Sequence, residues 1–263
     1  RAETLVLGNG CERGADADAG AERTRRHAPD LLAEEAERLF RPLLPAPRAR
    51  PARRVVFGIP RVMALYRSAP LLLHYLRAAG VRAEDVILTP PTSSRAFHEG
   101  ARWGVNDPCF PAKLVDAHVE ALLSGHAGRP FDVLLLPTIT HARIRVRGTA
   151  DTASCPIVAA RGLTARAAVR GELDRLGIEA LVPELTLVDP IRLEAQVFEA
   201  FGPRLGIDEQ ASRAALTHAL EAQRELHRRM QARGRAVLAR AERQGRAAAL
   251  VLARPYHADP GVQ

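Results

Sequence analysis

Val55-Val56-Phe57-Gly58-Ile59-Pro60 is a short apolar run, β-branched and aromatic in character and closed by proline, and it reads as a buried strand. Residues 70–79 follow with helical periodicity and stop at Gly80, and residues 85–88 form a second apolar run. Strand, helix, strand in that order is the building unit of a parallel sheet. Working outward, residues 94–103 are expected to form a short helix. Pro111 suits the first turn of another, carrying Leu114, Val115, His118, Val119, Leu122 and Leu123 at helical spacing. Phe131-Asp132-Val133-Leu134-Leu135-Leu136-Pro137 gives a third strand.

The pattern then restarts. Cys155-Pro156-Ile157-Val158-Ala159 reads as a strand, residues 164–176 as a helix, 185–188 as a strand and 190–201 as a helix. Residues 208–243 are rich in Ala, Leu, Glu, Gln and Arg and predict a long helix with a break near Gly234, followed by an apolar strand over 247–253. The expected fold class is therefore α/β, with two Rossmann-like or flavodoxin-like parallel-sheet units carrying helices on both faces. Residues 1–52, with one helix over 29–40 and a proline-rich linker, read as a connector from an upstream domain. The first unit spans 53–150 and the second 151–263, incomplete at its C-terminal end.

Composition narrows the function classes. A hydrophobic content of 47% supports a real core, and no apolar stretch is long enough for a transmembrane helix or a signal core. A cytoplasmic protein without membrane association is expected. The net charge of +8 invites nucleic acid, yet the arginines are spread among 30 Asp+Glu, aromatics are 4%, and no zinc-finger, RNP or basic-zipper pattern occurs. No nucleic-acid partner is expected, and the cluster Arg48, Arg50, Arg53 and Arg54 reads as a solvated linker. Cys11, Cys109 and Cys155 are too widely spaced for a disulfide framework and suit reduced thiols or ligands gathered by the fold.

Lys113 is the one lysine among 38 Lys+Arg residues. Where arginine has replaced lysine this thoroughly, a retained ammonium suggests a need for a compact, titratable cation. Cys109, four residues earlier, would sit at the N-terminus of the Pro111 helix, where free backbone N–H groups and the helix dipole favour a thiolate. The loop Arg254-Pro255-Tyr256-His257-Ala258-Asp259 gathers a guanidinium, a phenol, an imidazole and a carboxylate beyond the last apolar run, the kind of position where open α/β sheets hold ligands.

Gly58-Ile59-Pro60-Arg61, Cys109-Phe110-Pro111-Ala112-Lys113-Leu114 with His118-Val119, Cys155-Pro156, and Arg254-Pro255-Tyr256-His257 with Asp259-Pro260 occur in this order. Together they resemble the large fused activators of 2-hydroxyacyl-CoA dehydratases, the CoA-substrate-specific enzyme activases, in their uncharacterised dehydratase-like domain. Gly8-Asn9-Gly10-Cys11-Glu12-Arg13-Gly14 looks like the end of the cysteine-rich segment upstream of that domain. The resemblance implies an iron–sulfur cluster, of the [4Fe–4S] type, in a low-potential electron-transfer system driven by an ATPase partner. It carries metal ligation to Cys109 and Cys155. Lys113, Tyr256 and His257 are the expected catalytic residues, Arg61 and Arg254 the expected cofactor-binding residues, and His118 a supporting group. The chain itself shows no ATPase signature, so ATP would act only through domains outside it or through an activator protein. A homodimer is one arrangement open to it.

Two cysteines and a remote Cys11 fall short of the four thiolates a [4Fe–4S] cluster takes, and two alternatives stay open. One is a metal-free regulatory or docking domain in which Arg61, Lys113 and Arg254 contact a partner protein or an acidic, CoA-like cofactor. The other is a thiol enzyme using Cys109 with His118 or His257.

Overall fold

The computed structural model describes residues 29–41, 51–93, 98, 103, 108–125, 130–142 and 152–262. Cys11, Gly8 to Gly14, Arg48, Arg50 and most of the helix expected over 94–103 lie outside them. The chain divides into two compact units, 1–31 and 32–263. From Leu32 on, every feature below belongs to the second.

Among the described residues the strands are β1 (Phe57–Ile59), β2 (Val86–Leu88), β3 (Val133–Leu135), β4 (Thr138–His141), β5 (Glu179–Leu181) and β6 (Glu184–Thr186). The helices are α1 (Leu31–Leu39), α2 (Leu65–Ala78), α3 (Phe110–Leu123), α4 (Pro156–Ala168), α5 (Arg170–Leu176), α6 (Pro190–Leu205) and α7 (Glu209–Arg243). Four strands form one sheet in the order β2-β1-β3-β5, all neighbours parallel, and β4 pairs in parallel with β6 in a second sheet. The fold is the parallel α/β class expected from the alternation of elements. Each sheet takes strands from both sides of residue 150.

Both faces of the larger sheet are covered, and the sequence of β3 shows why. Val133 and Leu135 point into a core shared with α2, α6 and α7, while Leu134 and Leu136 point into a second core shared with α3, α4 and α5. A strand buried on both faces reads as a continuous apolar run, as 133–136 does. Close approach is built in on the α4 side. A Cβ on Gly162 would lie 2.8 Å from the Leu136 carbonyl oxygen and 2.9 Å from Val182 Cγ1, so glycine lets this helix sit directly on the sheet.

Four expectations are corrected. Cys155-Pro156-Ile157-Val158-Ala159 is not a strand: Pro156 opens α4, because a proline at the first helical position loses no hydrogen bond, and Cys155 is the N-cap. The helix expected over 70–79 begins at Leu65 and contains Pro70, its first turn closed by bonds such as Leu65 N–H to Val62 O and Ser68 N–H to Ala64 O. No break occurs at Gly234. α7 runs 35 residues through it, about 52 Å at the usual rise, and absorbs a glycine cost of about 1 kcal/mol. Residues 247–253 are not a strand, since no described strand pairs with them, and Leu250, Val251 and Leu252 are exposed.

Candidate active site at the C-terminal edge of the sheet

β1, β2 and β3 are parallel, so their C-terminal ends face the same way, the edge at which open α/β sheets bind ligands. The chain leaves β1 through Pro60 and Arg61, and leaves β2 through Thr89 and Thr92. Cys109 is the N-cap of α3, with Pro111 in its first turn, and Cys155 is the N-cap of α4. Both are free thiols, Cys109 exposed and Cys155 half-buried.

α3 and α4 lie side by side, locked by a buried ion pair. The Arg161 guanidinium of α4 meets the Asp116 carboxylate of α3, and Arg161 Nε donates to the Ala112 carbonyl at 2.8 Å. Burial pushes Asp116 up and Arg161 pulls it back down, so this pair is held by packing as much as by charge. Its consequence is to fix the two cysteine-bearing helix ends against one another.

The loop after residue 253 closes over these ends. Tyr256 sits in a short 3₁₀ turn, Pro255–Ala258, and packs against both cores. Burial raises its phenol above the usual value, Arg254 opposes, and both the Cys109 and the Cys155 sulfur push it further up. Two thiols 46 positions apart in sequence therefore act on one phenol. The Cys155 thiol is held below the ordinary thiol value, chiefly by the Val158 backbone N–H, with the Ile157 N–H and the Arg254 guanidinium adding to this against some burial.

From the end of β2 through α3 to the turn after Tyr256 runs a buried polar chain in which every donor can be assigned. Thr92 Oγ1 donates to Asp259 Oδ2 at 2.6 Å, so the same oxygen must accept from His118 Nε2, 2.8 Å away. His118 Nδ1 is then the acceptor for the Thr89 hydroxyl at 2.5 Å, and Thr89 Oγ1 accepts the Arg61 backbone N–H at 2.7 Å. The Gly261 N–H donates to Asp259 Oδ1 at 3.0 Å. His118 and Asp259 are 2% and 1% exposed, and burial pushes the imidazole down to about 4, which leaves it neutral with the proton on Nε2. The chain ties the Tyr256 turn to the end of β2 and to the middle of α3. Tyr66 adds a buried hydroxyl close enough to Asp259 for the carboxylate to raise its pKa, after the larger effect of burial; no hydrogen bond of ordinary geometry reaches this oxygen.

The expected site residues thus fall into two groups. Cys155, Arg254 and Tyr256 line one cavity, Cys109 caps the adjacent helix, and Lys113 stands half-buried one turn after Cys109 on the same helix face. His257 donates from Nδ1 to the Arg254 carbonyl and stacks on Tyr256 with ring centroids 5.0 Å apart. Arg61 is turned elsewhere: its guanidinium lies 4.2 Å from the centre of the Phe40 ring and donates to the Ala36 carbonyl of α1. Thr89, Thr92, Tyr66, Asp116 and Arg161 carry no local sequence signal. The one available hint was Asp259-Pro260, an acidic residue ahead of a proline in the polar loop that follows residue 253.

The described residues contain no group of three or more His, Cys, Asp or Glu side chains placed to hold a metal ion, and no helix long and apolar enough to cross a membrane. What they define is a parallel-sheet α/β domain covered on both faces, with two free cysteines each capping the N-terminus of a helix. The model of the family described as the CoA enzyme activase uncharacterised domain matches residues 57–263, and this chain belongs to that family. No curated protein and no solved structure matches it.

Proposed function

We propose that this chain is the thiol-bearing, electron-transfer module of a CoA enzyme activase system, with Cys109 and Cys155 as two thiolate ligands of an iron–sulfur cluster. The observation that carries the reading is that Cys109 and Cys155 cap the N-termini of two helices, α3 and α4, which Arg161 joins through Asp116 and the Ala112 carbonyl. The donor type fits iron, for which thiolates are the ordinary protein ligands. The donor number among the described residues is two, so the remaining ligands of a [4Fe–4S] cluster come from outside them. When bound, such a cluster supplies one-electron transfer at low potential.

The chain's own residues do the rest. Backbone N–H groups at the start of α4 stabilise the Cys155 thiolate, and Arg254 offsets its charge. Tyr256, its pKa raised, stays a neutral hydroxyl beside the sulfurs and keeps water from one side of them. Lys113 supplies a cation one turn from Cys109. The ATPase that drives the electron is a partner domain or protein.

Anaerobic reconstitution of the intact protein with iron and sulfide, followed by absorption and EPR, tests the reading. A thiolate-to-iron band with a reducible signal is expected, and Cys109→Ala or Cys155→Ala should abolish both. A spectrum indifferent to these substitutions rejects the assignment. The two-donor count favours one alternative, a metal-free docking domain for an acidic partner or cofactor. The reconstitution supports it if no iron is retained while partner binding survives loss of both cysteines.

A further inference from the structure

α7 packs on α2 and α6 along one stripe, Ser212, Ala215, Leu216, Ala219, Ala222 and Leu226, and no residue of the helix beyond Leu226 is buried. The helix still runs on to Arg243, about 25 Å further at the usual rise. Its arginines change character along the way. Arg213 pairs with Glu194, Arg228 and Arg229 with Glu225, and Arg233 with Glu34 of α1. Arg235, Arg240, Arg243 and Arg246 are exposed, and among the described residues no carboxylate pairs with them. Glu242 is the one carboxylate between Leu226 and Asp259, where eight arginines stand. Leu238 lies within this basic stretch, 57% exposed and one helical turn from Gly234 and Ala241, so it stands out over small neighbours. Leu250, Val251 and Leu252 are exposed just beyond.

A helix draws most of its stability in water from packing one face, and this end of α7 has a face left to pack. Arginines in a last turn complement the helix dipole, which accounts for Arg240 and Arg243. It does not account for Arg235, two turns before the end, for Arg246 beyond it, or for the exposed leucine. The chemistry of the surface selects its partner. Guanidiniums require carboxylates or phosphates, whereas Leu238 gains only from apolar surface. Duplex nucleic acid offers phosphate without an aliphatic pocket, and no aromatic side chain stands between Phe201 and Tyr256 to stack on bases. A lipid surface favours Trp or Phe beside a basic face, and the stretch has neither. A second copy docked end to end would oppose arginine to arginine. We propose that residues 235–246 dock an acidic protein partner, its carboxylates on Arg235, Arg240 and Arg243 and an aliphatic pocket over Leu238. None of these residues belongs to the cysteine-bearing helix ends or to the loop after residue 253, so the inference stands apart from the iron–sulfur reading.

The probe is a labelled synthetic helical peptide of about three heptads, leucine at the a and d positions and glutamate at e and g, titrated with the intact protein and followed by fluorescence anisotropy. Saturable binding is expected. Arg235→Gln/Arg240→Gln/Arg243→Gln should weaken it at least about tenfold and Leu238→Gln at least about threefold. Arg166→Gln/Arg170→Gln/Arg192→Gln removes the same charge from exposed positions elsewhere and should change affinity less than about twofold. Every substituted side chain is exposed, so the variants retain the fold. Peptides with lysine at e and g, or with serine at a and d, should bind at least about tenfold more weakly. Duplex DNA and phosphatidylglycerol vesicles should also bind more weakly than the acidic peptide. The proposal is overturned if the peptide gives no saturable binding, if the second set of arginine substitutions weakens it as much as the first, or if Leu238→Gln leaves affinity where it was. Tighter binding of DNA or vesicles than of the peptide overturns it too, as does self-association of the protein alone that Leu238→Gln abolishes in sedimentation.

Discussion

Asp85 and Asp259 are buried carboxylates at opposite ends of the larger sheet, and the two are satisfied in opposite ways. At the N-terminal edge, Asp85 precedes β2 and is clamped by Arg54 Nη2 at 2.8 Å and Arg82 Nε at 2.8 Å, guanidiniums whose outer faces are in water. At the C-terminal edge, Asp259 takes a threonine hydroxyl and a backbone N–H, and passes its hydrogen bonding on through Thr92 to His118. The first arrangement closes on itself and stabilises. The second connects the turn that carries Tyr256 to the helix that carries Cys109, and it costs more to break because water does not reach its members. Asp85 is thus held by half-exposed arginines and Asp259 by a buried hydrogen-bond relay, at opposite edges of the sheet.

The largest expected break in this contrast is at the clamp between the cysteine helices. Arg161→Ala leaves the Asp116 carboxylate buried and unpaired, and should lower unfolding free energy by about 3–5 kcal/mol in urea titrations. Next come the two carboxylates themselves. Asp259→Ala strands Thr92 and Gly261 N–H in the interior and should cost about 3 kcal/mol, against about 1 kcal/mol for Asp85→Ala, whose arginines can hydrate. Equal losses at the two positions would erase the distinction.

Acid should separate the edges in order. His118 is held near 4 when folded but titrates at about 6.5 when unfolded, so the unfolded chain binds the extra proton and stability falls as pH drops through that window, by up to about 3 kcal/mol. Asp85 is held below the ordinary carboxylate value, first by Arg54 and then by Arg82, so its contribution persists until pH falls below that range. Hydrogen exchange near pH 5 should therefore show amides around Thr89 and Gly261 losing protection while those around Val86 keep it. His118→Gln should flatten the upper window and leave the lower one. The smallest effect is steric: a Cβ on Gly261 would come within 2.3 Å of Thr92 Cγ2, and Gly261→Ala should cost about 1–2 kcal/mol.

The parallel α/β architecture was legible because it is written locally. Residues 55–60, 85–88 and 131–137 are apolar runs that β1, β2 and β3 occupy, and the spacing from Leu114 to Leu122 matches the buried face of α3. Cys155-Pro156-Ile157-Val158-Ala159 misled because a five-residue apolar run has no period long enough to tell strand from helix, and only the proline held the answer. The stretch over 247–253 has strand composition, but a strand exists only where a partner strand offers hydrogen bonds. The site was half readable. Helix N-termini marked Cys109, whereas the contacts of Asp259 with Thr92 and of Arg161 with Asp116 join residues 167 and 45 positions apart, and nothing periodic announces a pairing of single polar side chains across such distances.

Iron content of the anaerobically purified protein, measured beside Cys109→Ala, Cys155→Ala and the double variant, tests the central claim most directly. If the two sulfurs serve one centre, each single substitution should remove as much iron as both together, because residues acting as a unit are not additive. Iron that falls by separate, summing steps, or that stays unchanged in either single variant, would contradict a shared site.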